Sequence, residues 1–481
     1  MTKLDAIVVG SGPNGLAAAV TLARAGLKVT VYEGASTIGG GARSAELTLP
    51  GFISDVCSAV HPMALASPFF REFGLADRVP MIVPDASYGH PLDGGRSAVA
   101  WRDIDRTSDD LGVDGPAWRG LLGALSRHAT ALADDTASTL LRVPRHPITL
   151  ARLGLGMFEQ GSPAWNTRFR EEFAPALLTG VIAHAIRPLP GLSAAAAGML
   201  LATHAHAAGW PIPVGGSQAI VDALVADLEA HGGEVIADAP VTSLLELPPS
   251  RAVLLDTTPA AFLELAGKSV PSGYARAMRG FKYGNAVAKV DFALSGPVPW
   301  ADERLAEAGT LHVGGSREEI AAGEKQVAAG QMPDSPYVLV AQPSAFDPSR
   351  APAGQHVLWA YTHVPRNSAE DRTEAITAQL ERFAPGFRDT ILASSSRTAV
   401  DLGNYNPNYI GGDIAAGDVT LRQLVRRPTL FEPWRTAVPG VYLCSSATPP
   451  GPGVHGLAGF NAARSALRHE FGITTTPSLA P

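Results

Sequence analysis

The chain has 481 residues, of which 46% are hydrophobic and 17% charged, and its formal net charge at pH 7 is −7. This length and composition exclude a disordered or fibrous chain and predict a globular protein with one large core or two interleaved ones. A net acidic chain without a basic cluster has no means of releasing counterions from nucleic acid. We therefore expect a small-molecule partner and no nucleic acid.

A glycine-rich turn lies between a strand and a helix at the start of the chain. A short run of β-branched residues ends at Gly10, Gly12 and Gly15, and apolar residues at helical spacing follow. Gly10 permits the tight turn, Gly12 lets the backbone approach a pyrophosphate, and Gly15 lets the helix pack closely on the strand. The next buried strand ends on Glu33, in register to accept hydrogen bonds from a ribose. The pattern predicts a dinucleotide site rather than an ordinary glycine-rich βαβ turn.

The start of this helix and a second glycine-rich segment extend the site. Pro13 and Asn14 open the helix, whose N-terminus offers unpaired N–H groups and a positive dipole end to phosphates. Three glycines follow the ribose acid a few residues later, and a second close-approach loop suits the longer reach of FAD better than a nicotinamide dinucleotide. The residues assigned to this loop are Gly40, Gly41, Ala42 and Arg43. FAD is the predicted cofactor.

Residues 76–209 interrupt the nucleotide-binding pattern and are predicted to be mostly helical. An apolar helical insert beside a flavin would hold a hydrophobic substrate, although apolar residues at helical spacing are equally typical of an ordinary core. His184, His204 and His206 include an HxH pair, but no third ligand lies nearby in the sequence. We expect no metal site.

Residues 210–260 return to a βαβ pattern. Two glycines precede an amphipathic helix, and a strand begins at Glu234. Within residues 261–394, three segments alternate apolar and polar residues, which is typical of strands with one covered face. These segments predict a second, antiparallel sheet that floors the substrate cavity.

The last part of the chain carries a second strong glycine-rich pattern. Residues 404–413 are predicted to form either a tight loop or a cavity lid that presents Tyr405 and Tyr409. Further on, a strand at 441–443 leads to Gly453 and a helix predicted to begin near Val454. The N-terminus of that helix would point at the N1–C2=O edge of a flavin, where negative charge collects in the reduced anion.

His455 is the best candidate for proton transfer, because an unperturbed histidine titrates near neutral pH. The alternative is that His455 only fills the start of the helix.

Three separated motifs, at 6–44, 210–246 and 441–464, occur in an order that resembles the flavoprotein superfamily of amine oxidases, phytoene desaturases, carotenoid isomerases and retinol saturases. The order is most similar to the phytoene desaturase branch. The segment TPPGPGVHGLAGFNAA, residues 448–463, looks especially like the bacterial group related to pyridine nucleotide-disulfide oxidoreductase domain-containing protein 2. The two cysteines, far apart and not in a CxxC pair, predict no disulfide chemistry.

The resemblance implies an α/β fold with a Rossmann-type FAD-binding domain built from discontinuous segments. Residues 1–75, 210–260 and 395–475 would form that domain. Residues 76–209 and 261–394 would together form an inserted α+β substrate domain, with the helices on the antiparallel sheet.

The resemblance also implies roles for individual residues. His61 would pass beside the isoalloxazine, unless it is an ordinary loop histidine, and the backbone near Val241 would lie in a strand pair against the adenine. Two departures separate the chain from the carotenoid desaturases: Gly41 stands where their GGR motif has arginine, and Ser446 with its neighbour stands where many relatives carry an acid.

A flavin facing an apolar cavity predicts an FAD-dependent oxidoreductase that acts on C–C bonds of a hydrophobic substrate, such as a polyene or lipid-like molecule. Desaturation, saturation and isomerisation stay open, as does the electron acceptor, which could be oxygen, a quinone or another molecule. His61, His455 and Tyr405 are the predicted groups nearest flavin N5. The alternatives are a flavin amine oxidase, which Lys282 or Lys289 near the cavity would support, and a flavin-loaded binding protein without turnover.

The N-terminal sequence runs straight into the first strand, which leaves no room for a signal peptide. No apolar run reaches the length of a membrane span. We expect a cytoplasmic protein, with peripheral contact to a membrane left open.

Overall fold

Five parallel strands form the first sheet in the computed structural model, which describes residues 4–481. Because the central strands of a parallel sheet are buried on both faces, they are mostly apolar, and every residue of the first strand is buried. The strands in spatial order are Val441–Leu443, Ala252–Leu255, Ala6–Val9, Val29–Tyr32 and Glu234–Ile236. This order brings together segments that lie more than 400 residues apart in the chain.

The helix after the first strand, Pro13–Arg24, packs against two helices from distant parts of the chain. These are Gln218–Ala230 and Leu457–Ala466. A Cβ at Gly459 would lie 1.7 Å from the carbonyl oxygen of Asn14, so only glycine allows the first and last helices to approach this closely. The nucleotide-type domain is therefore one packed unit built from discontinuous segments.

Seven strands form a second sheet, and all neighbouring pairs but one are antiparallel. The exception is the parallel pairing of Ala308–Val313 with Ala86–Leu92. In spatial order the strands are Ile391–Arg397, Ala286–Leu294, His356–Val364, Val338–Ala341, Ala308–Val313, Ala86–Leu92 and Arg96–Trp101. The fold is thus mixed α/β, with a parallel sheet and a separate second sheet.

The hairpin formed by Ala86–Leu92 and Arg96–Trp101 lies within the segment predicted to be mostly helical. The first of these strands is buried along its whole length and includes Gly89 and Pro91, so it shows neither alternation nor high β-propensity. Apart from the two-residue strand Met81–Ile82, the remaining regular structure of that segment is helical, as predicted. Its helices are Ile104–Asp110, Gly115–Arg127, Ala129–Thr136, Pro147–Gln160, Phe173–Ile182 and Leu192–Ala207.

The second sheet separates two apolar cores. One face packs against the helical segment and carries aromatic residues such as Trp359 and Tyr361. The opposite face, with Phe292 and Leu358, is covered by the helix Thr373–Phe383. Only the first face borders the cavity described below, so the alternation along each strand decides which side chains reach it.

The remaining elements connect these layers. Two small antiparallel pairs join Ser44–Glu46 to Ile53–Asp55 and Met81–Ile82 to Ile212–Pro213. The remaining helices are Pro68–Phe73, Leu75–Arg78, Pro259–Ala266, Ser272–Arg279, Arg317–Ala328, Phe387–Thr390, Ala399–Tyr405 and Leu421–Val425. Among residues 4–481, no helix has both the length and the apolar character needed to cross a bilayer.

Candidate active site

A cavity of about 1290 Å³ runs from the parallel sheet to the aromatic face of the second sheet. Of the predicted site residues, only Gly15 does not line this cavity. Those that do are Gly10, Gly12, Pro13, Asn14, Glu33, Gly40, Gly41, Ala42, Arg43, His61, Val241, Tyr405, Ser446, Gly453, Val454 and His455. Residues predicted from separate motifs therefore share one space.

The first glycine turn has the close contacts that a phosphate-binding turn requires. Gly10 has a φ of 101°, and a Cβ at Gly12 would lie 2.5 Å from Oδ2 of Asp256. A Cβ at Gly15 would lie 2.1 Å from the carbonyl oxygen of Gly10, so this glycine serves packing behind the turn. The helix starts at Pro13 and directs its N-terminal end at the cavity.

Glu33 lies at the end of the second parallel strand and organises the two glycine loops. Its Oε2 accepts hydrogen bonds from the backbone N–H and the hydroxyl of Ser11, at 2.9 and 2.6 Å, and its Oε1 accepts one from the N–H of Ala35 at 2.9 Å. Arg43 lies 3.5 Å from the same carboxylate. An anionic acceptor at this edge of the sheet fits the ribose of an adenine dinucleotide.

Asp256 is a site residue that the sequence reasoning missed. Its Oδ2 accepts a hydrogen bond from the N–H of Gly15 at 3.0 Å, beside the phosphate-binding turn. Burial raises the pKa of Asp256 to about 7, and the nearby charge of Glu33 adds to the rise. Asp256 could have been predicted from its place directly after a parallel strand, because the carboxyl ends of parallel strands meet at the edge of the sheet where ligands bind.

The second glycine loop packs against Tyr409. A Cβ at Gly41 would lie 2.3 Å from the tyrosine hydroxyl oxygen, so an arginine at this position, as in the desaturase motif, is incompatible with this packing. The displaced Arg43 is buried and lies over the ring of Tyr405, with its guanidinium carbon 5.4 Å from the ring centroid.

Both ring nitrogens of His455 form hydrogen bonds with the neighbouring backbone. Its Nδ1 accepts a hydrogen bond from the N–H of Leu457 at 3.1 Å, so its Nε2 donates to the carbonyl of Gly451 at 3.2 Å. Burial lowers its pKa to about 4. The helix begins at Leu457, three residues later than the sequence indicated, and Gly453 and Val454 lie in the loop before it. Proton transfer by His455 stays a prediction.

His61 and Tyr405 also line the cavity. Nε2 of His61 donates to the hydroxyl of Ser217 at 2.7 Å, because that hydroxyl donates in turn to the carbonyl of Ser58. Burial lowers the pKa of His61 to about 4. Tyr405 is half-buried, with Arg397 on its ring in addition to Arg43. Catalytic roles for these two residues also stay predictions.

Two cofactor-site predictions differ in local structure from what was expected. Val241 lines the cavity, but no strand pair forms around it, since Pro240 lacks a backbone donor. Ser446 accepts a hydrogen bond from the side-chain amide of Asn14 at 3.3 Å, which joins the first and last motifs.

The part of the cavity beyond the nucleotide loops is apolar. Helical residues such as Leu153, Met157 and Leu200 form one wall. Trp359 and Tyr361 form the other, with ring centroids 5.1 Å apart and planes at 83°. Alternation predicted the strand that carries this pair but not which of its faces meets the cavity.

The two lysines considered from the sequence lie outside the cavity lining. Lys289 is buried, pairs with Asp291, and donates to the carbonyl of Asp55 at 3.0 Å. Burial lowers the pKa of this lysine. Lys282 is exposed.

The three histidines of the helical segment do not converge. His184 pairs with His312, His206 accepts from Trp118 and donates to the carbonyl of Trp101, and His204 lines a separate small cavity. In the part of the chain that the structure describes, no group of three or more His, Cys, Asp or Glu side chains could hold a metal.

The turn, the ribose acid and the second glycine loop fit FAD, and the fold and site together define an FAD-dependent oxidoreductase. Residues 14–467 match the family model of flavin containing amine oxidoreductases. The chain belongs to that family.

The chain is also similar to individual proteins, and the solved structures among them share its fold. A rat protein called pyridine nucleotide-disulfide oxidoreductase domain-containing protein 2 is 25% identical over 549 aligned positions, covering 97% of this chain and 94% of the rat protein. Among solved structures, an oxidoreductase from Methanosarcina mazei is similar with a TM-score of 0.55 and 16% identity, covering 97% of this chain and 100% of that one. Cyclohexylamine oxidase from Brevibacterium oxydans gives a TM-score of 0.57 and 14% identity, with 96% and 98% covered.

Proposed function

We propose that this flavoprotein oxidises or reduces C–C bonds of an uncharged, hydrophobic substrate, by desaturation, saturation or isomerisation. The observation that carries the proposal is the distribution of charge in the cavity. Among the described residues, the charged side chains that line it are Glu33, Arg43, Asp256 and Glu264, all at the nucleotide end. The apolar half offers no counter-ion to a charged substrate, whose burial would therefore be costly.

Bound FAD supplies the hydride chemistry, and the chain supplies position and exclusion of water. The wall formed by Leu153, Met157 and Leu200 holds an apolar chain against Trp359 and Tyr361. The loop before the Leu457–Ala466 helix lines the cavity and is fixed by His455. These residues orient the substrate, while Arg43 and Glu33 hold the second glycine loop to the first.

A flavin amine oxidase is the second candidate, and the perpendicular pair of Trp359 and Tyr361 favours it. Two aromatic faces can hold an amine by cation–π attraction. Lys289 and Lys282 do not strengthen this candidate, because Lys289 forms an ion pair with Asp291 and Lys282 is exposed. One solved structure with a similar fold is named cyclohexylamine oxidase, a name that indicates an amine substrate for that protein.

Stopped-flow spectroscopy of the FAD-loaded protein separates these candidates. The flavin is photoreduced without oxygen and then mixed with a long-chain alkene whose double bond is polarised by conjugation. Oxidised protein is mixed separately with alkyl amines. We expect reoxidation by the alkene and no reduction by the amines. Reduction by an amine would favour the second candidate instead. A flavin that neither reduces nor reoxidises, together with an alkene recovered without isomerisation, would identify a binding protein without turnover.

One helix in the wall of the cavity suggests how an apolar substrate enters, and we propose a peripheral contact with an anionic lipid surface. The helix Pro147–Gln160 lines the cavity with Leu153 and Met157, yet Leu155 and Phe158 on its other face are 73% and 64% exposed. The exposed Arg152 on the same helix adds the positive charge that such a surface attracts. The electron acceptor is proposed to be oxygen, a quinone or another small molecule.

A further inference from the structure

Two histidines form a hydrogen-bonded pair in the wall of the apolar half of the cavity. Nε2 of His184 lies 2.7 Å from Nε2 of His312, and the rings meet edge to face at 77°. His312 is fully buried on the second sheet, whereas His184 is half-buried and lines the cavity. The pair therefore links the core of the sheet to the substrate space.

The partners of each nitrogen decide which one carries the proton. Nδ1 of His312 is buried and has no hydrogen-bond partner among residues 4–481. His90 lies nearby but donates its Nε2 proton to the carbonyl of Gly315, and no hydrogen bond joins it to His312. An unpaired buried N–H costs more than an unpaired lone pair, so the proton of His312 belongs on Nε2 and is donated to His184.

This arrangement leaves the unpaired donor on His184, the histidine of the pair that lines the cavity. Because Nε2 of His184 accepts, its proton sits on Nδ1, which has no hydrogen-bond partner within the described residues. Burial, followed by the nearby charge of His363, lowers the pKa of His184 to about 3, and burial lowers that of His312 well below its usual value. The pair is neutral and offers a single uncharged N–H.

A second unpaired polar group lies beside it. Thr310 is two residues before His312 on the same strand, so both side chains are on the cavity face, about 6.6 Å apart along the strand. Thr310 lines the cavity, is 2% exposed, and its hydroxyl has no partner in the described part of the chain. Trp210 packs edge-on against His184, with centroids 5.7 Å apart, and donates its own N–H to the carbonyl of Leu201.

We propose that the substrate carries an uncharged oxygen group, such as a ketone, ester or hydroxyl, which accepts a hydrogen bond from Nδ1 of His184 with Thr310 as a second partner. The inference deepens the proposed function and rests on it, since it names the polar part of an otherwise apolar substrate. A bare hydrocarbon leaves both groups unpaired, and an ammonium group presents donors to a donor. His184 is thus a specificity-determining residue.

Ligand affinity of the FAD-loaded protein tests this assignment. Tridecane, methyl undecyl ketone and tridecylamine have similar chains, and their binding is followed by the fluorescence of Trp210 and the other tryptophans. We expect the ketone to bind about fivefold more tightly than tridecane, as one hydrogen bond in a preformed site would give. His184→Phe should remove most of that preference, whereas His204→Gln, in the separate small cavity, should keep it.

Thr310→Val provides an independent, nearly isosteric variant, which should reduce the ketone preference about twofold and does not depend on tolerance of phenylalanine at 184. A ketone preference that survives both His184→Phe and Thr310→Val would overturn the inference but leave the C–C proposal intact. Equal affinity for ketone and tridecane in the unmodified protein would do the same. Tightest binding of tridecylamine would contradict both.

Discussion

Replacing Gly41 with alanine tests the packing that distinguishes this flavin loop from the desaturase motif. The added Cβ would lie 2.3 Å from the hydroxyl oxygen of Tyr409 but 3.6 Å from its ring carbon Cζ. The clash is therefore with one oxygen atom. Removing that atom, by Tyr409→Phe, leaves only an ordinary van der Waals contact.

The expected magnitude follows from this geometry. Overpacking a rigid site costs about 1–3 kcal/mol, and each 1.4 kcal/mol is about tenfold in affinity. Since Gly41 lines the cofactor end of the cavity, Gly41→Ala should weaken FAD binding by roughly five- to 140-fold. In a Tyr409→Phe background the same substitution should cost threefold or less, by the same rough conversion.

Fluorescence titration of the apoprotein with FAD measures these four affinities as a double-mutant cycle. Gly154→Ala is the matched control, because it also lines the cavity but its Cβ would meet nothing within 4 Å. Equal losses from Gly41→Ala with and without the tyrosine hydroxyl would refute the reasoning. So would wild-type affinity in the single variant.

Three further outcomes are expected. Burial raises the pKa of Asp256 to about 7, so its carboxyl becomes charged beside the phosphate-binding turn as the pH rises through that value. The FAD dissociation constant should therefore increase up to about tenfold per pH unit above it, and Asp256→Asn should flatten this profile. Lys289→Met leaves Asp291 unpaired and buried, and should lower the free energy of unfolding in urea by about 3–5 kcal/mol. The double variant Lys289→Met with Asp291→Leu should restore most of this loss. Equal stability of the single and double variants would count against a structural ion pair. Phe158→Glu should reduce co-sedimentation with anionic vesicles several-fold, whereas Val113→Glu, an exposed position on another helical turn, should not. Identical vesicle binding by the two variants would refute the proposed lipid contact.

The nucleotide-binding half of the site could be predicted from local sequence patterns. The glycines around Gly12 and the acid at Glu33 are close in sequence, and their spacing reflects one turn and one strand, so their chemistry could be predicted without tertiary information. The later motif with Gly453 was recognised in the same way. Its helix begins at Leu457, three residues later than predicted, because the side chain of His455 accepts a hydrogen bond from the N–H of Leu457.

Long-range packing decided the rest. Asp256 meets Gly15 only because two strands nearly 250 residues apart are neighbours in the parallel sheet. The hydroxyl of Tyr409 meets Gly41 across a still longer separation in the chain. The strand 86–92 has no apolar alternation because both of its faces are buried. Such contacts depend on the assembled fold, which periodicity alone does not specify.

The central claim is that the flavin exchanges hydrogen with a carbon–carbon bond of an uncharged substrate, and product analysis tests it most directly. The photoreduced, FAD-loaded protein is incubated without oxygen with an unsaturated long-chain ketone, and the products are examined by mass spectrometry. We predict a product with two additional hydrogens, formed in proportion to the flavin that is reoxidised. An unchanged ketone, together with conversion of a long-chain amine to an aldehyde by the oxidised protein, would contradict the account.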